Sequence, residues 1–443
     1  MPAWAQAAAT AFGVYVTIAD MVPPRLRYGY VHPLSRKLFG GQLPVLTSAV
    51  ARVSDGDSDI KFSDADLVAA LAADDLDVGG IGTVIEMLAR ALPAIGIRPV
   101  VVCPSDGARA RRLRDLGIDV VCESAAAADA FMGADVIELH SAPPDIEEAA
   151  MRSGRPVVVA MHNTEIHFTR SRWRRMRQLL TYAKAGVAVS EIVRQYHAKH
   201  LPASLHERLT VVPNGAPPMR SIDQRERARA RAALESAIGQ PIRDEVIYVC
   251  LARYDAQKNI SGMVSSFLQF AEARPDVRLV CAGDPSDWAE VRRADALRAA
   301  SHASNQVHLL GNSDAATLLT AGDVFLLDSF FEGWPVAATE AAAAGLPLVL
   351  TDVGGAAELV ARDPVRSKLV PNPCGDAAGV SDRLVASARR RSRRQRNSTA
   401  LVSALTHAAR IVQNGPVGTQ PSGGGGFAEM AQGHAEVLRS ATR

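Results

Sequence analysis

The sequence predicts an α/β protein built from two doubly wound parallel sheets, each covered by helices on both faces. The first indication is an alternation along the chain between short apolar or β-branched runs and longer segments with helical periodicity. The short runs are apolar throughout, which is typical of parallel strands buried on both faces. The second indication is a polar, charged interruption over residues 214–244, after which the same alternation starts again. Two α/β domains in series follow from these observations.

Length and composition agree with this architecture. The chain has 443 residues, and a domain usually contains about 100–200 residues. Its hydrophobic content of 48% with 22% charged residues is typical of globular domains. The formal net charge of only +2 gives no bulk electrostatic reason to expect a nucleic-acid partner.

The strands are predicted from the apolar runs. In the first domain they lie at residues 67–73, 97–103, 118–123, 135–140, 155–161, 186–190 and 209–213. In the second domain they lie at residues 246–252, 277–283, 306–311, 323–328 and 346–352. Segments such as VIEMLARAL and GARARRLRDL, which lie between the runs, have helical periodicity.

On this interpretation the chain has five parts. Residues 1–65 form an N-terminal extension, residues 66–216 the first domain and residues 217–243 a linker. Residues 244–420 form the second domain, and a glycine-rich link leads into a final helix over residues 421–443.

The cysteines and the apolar runs predict a cytoplasmic protein. The five cysteines show no Cys-x-x-Cys spacing, and four of them lie inside apolar runs, where a cysteine acts as a small hydrophobic residue of a reducing compartment. No apolar run approaches the ~18 residues that a membrane span needs. The first twenty residues also lack the basic start of a signal peptide.

Two carboxylates flank a Gly-Trp-Pro corner in DSFFEGWPVAATEAAAAGLPLVLTDVGGAAELV, residues 328–360. Pro335 suits the first position of a helix that opens at the carboxyl edge of a parallel sheet, where α/β proteins bind ligands and free N–H groups favour phosphate. Glu332 and Glu340 would repel phosphate, but carboxylates accept hydrogen bonds from hydroxyl groups, which a nucleotide sugar offers on both of its sugars. The plainer alternative is that Glu332 caps the helix and Glu340 is a solvated surface residue.

Further polar and glycine residues follow other predicted strands. Arg253 and Lys258 lie in LARYDAQKN, where two cations can neutralise a diphosphate without a metal ion. Gly79 and Gly80 lie in DLDVGGIGT and allow close approach of the backbone to an anion, although GGIG is not the dinucleotide-binding G-x-G-x-x-G. His162 follows a strand in MHNTE. Each has an ordinary structural explanation alone, but their common position at strand ends favours a ligand site.

Together these motifs resemble the retaining glycosyltransferases of family 4, whose GT-B fold has two Rossmann-like domains facing across a cleft. The resemblance rests on VGGIG, on RYDAQK, on EGWPVAATE with its E-x7-E spacing, and on AGLPLVLTDVGGAAELV. It covers residues 66–375 and is most specific in its second half. It also implies that the final helix, FAEMAQGHAEVLR, crosses back to the first domain. The extension over residues 1–65 and the arginine-rich run at 388–396 depart from the family pattern.

The resemblance implies a role for each residue of the E-x7-E segment. Glu332 would contact hydroxyl groups of the donor sugar, and Glu340 would bind the ribose hydroxyls. The backbone of Gly333, Trp334 and Pro335 would lie at the sugar and the phosphate.

The resemblance also implies roles for the other motifs. Arg253 and Lys258 would hold the diphosphate with help from the glycine loop at residues 79–80. His162 would contact the sugar near the acceptor side, and Gly311 would lie near the base.

The predicted function is therefore transfer of a sugar from a nucleoside-diphosphate sugar to a glycan, lipid-linked or protein acceptor, with retention of configuration and without a metal cofactor. A sugar-nucleotide epimerase or hydrolase of the same fold is one alternative, and a catalytically inactive binding protein is another. The donor base, the sugar, the acceptor and the oligomeric state stay open.

A basic segment over residues 167–180, HFTRSRWRRMRQLL, raises a separate expectation. Arginines around Trp173 suit an anionic lipid surface or a phosphate-bearing acceptor, so peripheral contact with the inner face of a membrane is one interpretation. The alternative is a solvated helix whose Trp173 packs inward.

No metal site is expected. The aspartates at 55, 57, 59 and 66 lack the turn glycine and final glutamate of a calcium loop. His197 and His200 lie one helical turn apart without a further group of ligands, which argues against zinc.

Overall fold

The computed structural model describes Val22, Leu26 and residues 30–50, 66–77, 79–217, 223–415 and 426–443. Within these residues it contains two parallel sheets, as the sequence predicts. The first sheet has the strand order β3-β2-β1-β4-β5-β6-β7. Its strands are β1 (Leu67–Ala73), β2 (Ile97–Val102), β3 (Asp119–Val121), β4 (Val136–His140), β5 (Val157–Met161), β6 (Ala185–Ala188) and β7 (Leu209–Val211).

The second sheet has the strand order β10-β9-β8-β11-β12-β13. Its strands are β8 (Val246–Leu251), β9 (Val277–Ala282), β10 (Val307–Leu310), β11 (Val324–Leu327), β12 (Leu348–Thr351) and β13 (Lys368–Val370). Strand β13 was not predicted, because three residues that include a lysine give no apolar run. All the other predicted strands are confirmed within two residues at each end.

Helices connect the strands of both sheets. They are α1 (His32–Phe39), α2 (Gly79–Ala91), α3 (Ala108–Asp115), α4 (Ser124–Gly133), α5 (Pro144–Arg152), α6 (Arg170–Tyr182), α7 (Glu191–Ala198), α8 (Gln224–Ile238), α9 (Ile260–Ala271), α10 (Trp288–Ala299), α11 (Ala315–Ala321), α12 (Val336–Ala343), α13 (Ala356–Val360), α14 (Asp382–Arg389), α15 (Ser398–Asn414) and α16 (Phe427–Ala441). Short 3-10 turns lie at Leu92–Ile95, Ala203–Arg208, Ser304–Gln306, Ala377–Gly379 and Ser392–Arg394.

The chain divides into two compact units that do not follow the chain order. Unit 1 consists of Met1–Arg52, Arg220–Phe331 and Ala344–Ser422 and contains the second sheet. Unit 2 consists of Val53–Met219, Glu332–Ala343 and Gly423–Arg443 and contains the first sheet. Unit 2 therefore takes the segment from Glu332 through helix α12, although the sequence places that segment inside the second domain.

The described part of the N-terminal extension packs in unit 1. Leu46 is only 1% exposed, and its backbone N–H donates to Ser313 Oγ at 3.0 Å. The backbone N–H of Gly311, directly after strand β10, donates to the carbonyl of Pro44 at 2.8 Å. The extension is therefore bound to the edge of the second sheet next to β10.

The linker predicted at residues 217–243 is shorter than the sequence suggests. Helix α8 occupies most of it and belongs to unit 1, where Arg227 and Arg231 both pair with the carboxylate of Asp323. The same carboxylate accepts a hydrogen bond from the N–H of Ile247 at 2.8 Å, in strand β8. A helix that is held by ion pairs shows little hydrophobic periodicity. For this reason the sequence predicts a linker where the structure has helix α8.

The arginine-rich run at 388–396 has a structural role in unit 1. Arg389 is 5% exposed and pairs with the buried Glu290 of helix α10. Gln395 donates to the buried carboxylate of Asp328 at 2.7 Å, and Asn397 donates to it at 2.8 Å. Burial raises the pKa of Asp328 to about 6, although these hydrogen bonds oppose the shift.

The final helix α16 belongs to unit 2, as the family resemblance implied. Met430, Ala435 and Leu438 lie in the hydrophobic core of the first sheet. Residues 421–425 of the predicted glycine-rich link lie outside the described residues.

Candidate nucleotide-sugar site

The Gly-Trp-Pro corner packs against the backbone that follows strand β5. A Cβ atom built on Gly333 would lie 1.7 Å from the carbonyl oxygen of His162 and 2.8 Å from the Cα of Asn163. A side chain cannot occupy that space, so glycine is required by close approach of the two chain segments. Two of the predicted site segments are therefore in contact within unit 2.

Helix α12 begins at Val336, one residue later than predicted. The carbonyl of Pro335 accepts hydrogen bonds from the N–H groups of Ala338 at 2.9 Å and Thr339 at 3.1 Å. The indole N–H of Trp334 donates to Thr339 Oγ1 at 2.7 Å, and Trp334 is only 5% exposed. The Trp334 side chain thus stabilises the first turn of the helix.

Neither glutamate of the E-x7-E segment is a fully exposed residue. Glu332 is 4% exposed, and Glu340 is partly buried on helix α12. Burial raises the pKa of Glu340 to about 7, although the positive charge of Arg109 opposes the shift. This environment disfavours the alternative in which Glu340 is an ordinary surface residue.

The raised pKa of Glu340 predicts a pH-dependent stability. Because the folded-state pKa of about 7 exceeds the usual value of 4.5, the native state binds the extra proton between these values, and stability falls as the pH rises through that window. Glu340→Gln removes this loss. Its effect on the free energy of unfolding, relative to the wild type, should therefore be more favourable at pH 8 than at pH 5 by on the order of 2 kcal/mol. Thermal melting at both pH values measures the effect, with the exposed Glu207→Gln as the control. An equal change in melting temperature at both pH values would contradict this prediction.

The glycine loop also reaches the E-x7-E segment within unit 2. Gly79 has a φ of +77°, which favours glycine, and a Cβ on Gly80 would lie 3.2 Å from Val336 at the start of helix α12. The loop is anchored by Asp77, whose carboxylate accepts hydrogen bonds from the N–H groups of Ala108 and Arg109 at 2.8 Å each. The glycine loop, the Gly333 corner and His162 are therefore parts of one region of unit 2.

Arg253 and Lys258 lie together in a loop of unit 1. The loop follows strand β8, as predicted, and the carboxylate of Asp255 organises it. This carboxylate pairs with Arg253 at 3.2 Å and accepts the N–H of Lys258 at 3.1 Å. Asn259 ends the loop at a φ of +50° and donates to Asp328 at 2.9 Å. Both cations thus come from a loop whose backbone is fixed.

Gly311 follows strand β10, and the N-terminal extension covers it. A Cβ on Gly311 would lie 3.4 Å from Val45 and 3.6 Å from Leu43. The mixed hydrophobic pattern of the extension does not indicate that it reaches this position.

Several buried polar residues in unit 2 were missed by the sequence analysis. Glu138 and His140 of strand β4 and His434 of helix α16 are all 0% exposed. Burial raises the pKa of Glu165, in the MHNTE segment, to about 7, with Arg172 opposing. Glu138 and His140 did carry a signal, since they alternate on one face of an otherwise apolar strand.

The basic helix α6 has its tryptophan on the inside. Trp173 is 9% exposed and stacks on His200, with ring centroids 4.3 Å apart. Arg175 pairs with Glu147 and donates to the carbonyl of Pro144 at 2.6 Å. The alternative in which Trp173 packs inward is therefore confirmed, and the interfacial tryptophan is excluded.

No group of three or more His, Cys, Asp or Glu side chains able to hold a metal ion occurs among the described residues. His197 is bonded to the carbonyl of Asn163 at 3.1 Å, and His200 to that of Tyr196 at 2.8 Å. The aspartates at 55, 57 and 59 lie outside the described residues.

Two models of known protein families match the chain, one in each half. The family described as "Glycosyl transferases group 1" matches residues 235–398, and "Glycosyltransferase Family 4" matches residues 78–220. The chain belongs to the group 1 glycosyltransferases. The two matches span the glycine loop, His162, the Arg253 and Lys258 loop and the E-x7-E segment.

The curated relatives of this glycosyltransferase share part of its length. A glycogen synthase of Mycobacterium tuberculosis is 30% identical over 161 residues, which is 34% of this chain and 37% of that protein. An alpha-maltose-1-phosphate synthase of the same organism is 29% identical over 213 residues, or 46% and 52% of the two chains. The chain thus spans 37–52% of the length of these two relatives.

Solved structures show the fold. Crystal structures of HepE from Anabaena, one with UDP and glucose and one with UDP-glucose, cover 84% of this chain and 100% of that chain. Both have a TM-score of 0.62, with sequence identities of 18% and 19%. The GT-B fold is therefore confirmed. Among the helices that the structure describes, none has the length and apolar character to span a membrane.

Proposed function

We propose that this protein is a retaining glycosyltransferase that moves a sugar from a nucleoside-diphosphate sugar to an acceptor. The observation that carries the proposal is the contact of the Gly333 corner with the backbone of His162. This contact gathers the glycine loop, the E-x7-E segment and His162, three of the motifs to which the family resemblance gives donor contacts. The HepE structures contain UDP with glucose and UDP-glucose, which supports a nucleotide sugar as the donor.

In the proposed mechanism the protein binds and orients rather than reacting covalently. Glu332 and Glu340 accept hydrogen bonds from the donor-sugar and ribose hydroxyls, with the backbone of residues 333–335 at the sugar and phosphate. Arg253 and Lys258 stabilise the negative charge that grows on the diphosphate as the glycosidic bond breaks. The leaving phosphate takes the proton of the acceptor hydroxyl on the same face, which gives retention.

The test is a panel of donors with UDP, GDP and ADP as the nucleotide, read by release of the nucleoside diphosphate. Slow release without an acceptor, and faster release with a suitable acceptor, is expected for one donor. Mass spectrometry of the product gives the acceptor, and NMR of the new anomeric centre gives the stereochemistry. Donor binding without turnover would favour the inactive binding protein, and inversion would exclude the retaining mechanism.

Glu332 provides a site-directed test of the same proposal. Glu332→Gln should lower kcat/KM by about tenfold, because a hydrogen bond from a sugar hydroxyl to a charged group is replaced by one to an amide. The exposed Glu207→Gln serves as the control. Unchanged turnover in Glu332→Gln, with normal melting, would remove Glu332 from the site.

We also propose that helix α6 contacts an anionic surface at the cytoplasmic face of a membrane, through its exposed arginines. Arg174 and Arg177 are exposed, and each such charge is worth ~1 kcal/mol near an anionic bilayer. Co-sedimentation with phosphatidylglycerol vesicles should weaken about tenfold or more in the double variant Arg174→Gln, Arg177→Gln, and in high salt. Neutralising the exposed Arg225 and Arg229 of α8 is the matched control. Equal binding by both double variants would refute this contact.

A further inference from the structure

Three buried polar side chains, arranged one after another, lead to His162 inside unit 2. His434 Nδ1 of helix α16 lies 2.7 Å from Glu138 Oε1, and His140 Nε2 lies 3.6 Å from Glu138 Oε2. His140 Nδ1 in turn lies 2.8 Å from His162 Nε2. Glu138, His140 and His434 have no exposed surface, and His162 is partly buried.

This arrangement carries a desolvation cost. An anion and several imidazoles are removed from water, and such groups are usually buried only when they are paired or functional. The residue after His140, Ser141, has a φ of +54°, an unfavourable conformation for a residue with a side chain. Neither Glu138 Oε2 nor His140 Nε2 has a hydrogen-bond partner among the described residues, and the 3.6 Å between these two atoms is longer than a hydrogen bond.

The hydrogen-bond chemistry determines where the protons lie. A carboxylate only accepts, so His434 carries a proton on Nδ1. At 3.6 Å the negative charge of Glu138 Oε2 favours an N–H over a lone pair on the facing His140 Nε2, which places a proton there. In a neutral His140 the other nitrogen, Nδ1, is then an acceptor. The 2.8 Å contact between His140 Nδ1 and His162 Nε2 is a hydrogen bond and needs one proton. Because His140 Nδ1 is the acceptor, that proton lies on His162 Nε2.

We propose that Glu138, His140 and His434 are positioning residues for His162, which hold its imidazole neutral with the proton on Nε2. The lone pair on Nδ1 is then available to accept a hydrogen bond from a hydroxyl group of the bound sugar. This inference rests on the sugar-binding role of His162 in the proposed function. The C-terminal helix α16 thereby contributes to the site through His434.

The electrostatics of the chain agree with a neutral His162. Burial is the main cause that holds the pKa of His162 well below its ordinary value, and the negative charge of Glu138 opposes the shift. Burial acts to raise the pKa of Glu138, but its contacts with His434 and His140 outweigh that effect and keep the carboxyl group ionised.

The experiment is nitrogen NMR of the full chain with 15N-labelled histidine, with the His162 signals assigned by their loss in His162→Gln. Wild-type protein should show the neutral Nε2–H form of His162 between pH 6 and pH 8. In Glu138→Gln, the neutral Nε2–H and Nδ1–H forms of His162 should both be populated, because no negative charge then holds a proton on His140 Nε2. A wild-type His162 that carries its proton on Nδ1, or that is charged at pH 6, would overturn the proposal.

A second pair of variants tests the chain from helix α16. In His434→Leu, Glu138 keeps only His140 as a partner and should draw a second proton onto it, which shifts His162 to the Nδ1–H form. His434→Asn keeps a hydrogen-bond donor and should preserve the wild-type form. His206→Gln, which changes a histidine bonded to the carbonyls of Ala198 and Leu201, is the control and should leave His162 unchanged. An unchanged His162 in both Glu138→Gln and His434→Leu would overturn the proposal.

Kinetics supply the functional readout. Glu138→Gln and His434→Leu should lower kcat for donor turnover tenfold or more, with donor KM changed less than threefold, and His434→Asn should restore most of kcat. Tautomer changes without any loss of kcat would exclude the positioning role. If the wild-type protein turns over no nucleotide sugar, the proposed function fails, while the NMR result still tests the proton positions.

Discussion

Replacing Gly333 with alanine should lower sugar transfer by about a hundredfold or more and reduce stability by on the order of 2–4 kcal/mol. The new Cβ would lie 1.7 Å from the carbonyl oxygen of His162 and 2.5 Å from its carbonyl carbon. Both neighbours are backbone atoms, so a side-chain rotation cannot relieve the overlap. The two segments must separate, and reacting groups displaced by 1 Å can lose about 10²-fold in rate.

Gly133→Ala is the matched control for this substitution. Gly133 is the last residue of helix α4, and a Cβ added there meets no atom within 4 Å. We expect wild-type turnover and an unchanged or slightly higher melting temperature, because alanine is the better helix former. Wild-type activity and melting in Gly333→Ala would show that the corner and the His162 segment are not in contact.

Removing the ammonium group of Lys258 should lower kcat by about 10²–10³-fold, the usual loss when a preorganised charge partner of the transition state is deleted. Lys258→Ala should melt like the wild type, because the backbone of its loop is held by Asp255 and Asn259. Steady-state kinetics and thermal melting measure the two effects. The exposed Lys184→Ala controls for the loss of a positive charge.

The same prediction extends to metal independence. Since Arg253, Lys258 and the N-terminus of helix α12 are proposed to supply the positive potential, EDTA should leave turnover intact. Activity that disappears with EDTA and returns with Mg²⁺ or Mn²⁺ would contradict the mechanism. A Lys258→Ala variant with wild-type kcat would remove Lys258 from the site.

The fold class could be predicted because it depends on local patterns. A buried parallel strand such as β1, LVAALAA, reads as an uninterrupted apolar run, and the helices between strands keep their own periodicity. Strand β13 and helix α8 were missed for the opposite reason. Short edge strands and helices held by ion pairs, such as those of Arg227 and Arg231 with Asp323, leave little hydrophobic pattern.

Local patterns in the sequence are enough to predict the two sheets and the family resemblance. They also predict that Arg253, Lys258, His162 and the E-x7-E segment follow their strands. These are short-range properties, since a motif and the strand that presents it are neighbours along the chain. The strand end fixes where each side chain is presented, and the residue type fixes its chemistry.

Contacts between distant segments are visible only in the folded structure. It packs Gly333 against His162, covers Gly311 with the extension, and joins Glu138 to His434 from the far end of the chain. Such contacts depend on how elements that are far apart in the sequence pack together. A single glycine or a buried histidine belongs to no periodic pattern from which its partner could be predicted. Burial then changed the chemistry, because the pKa of about 7 at Glu340 arises from desolvation by neighbours that folding brings together.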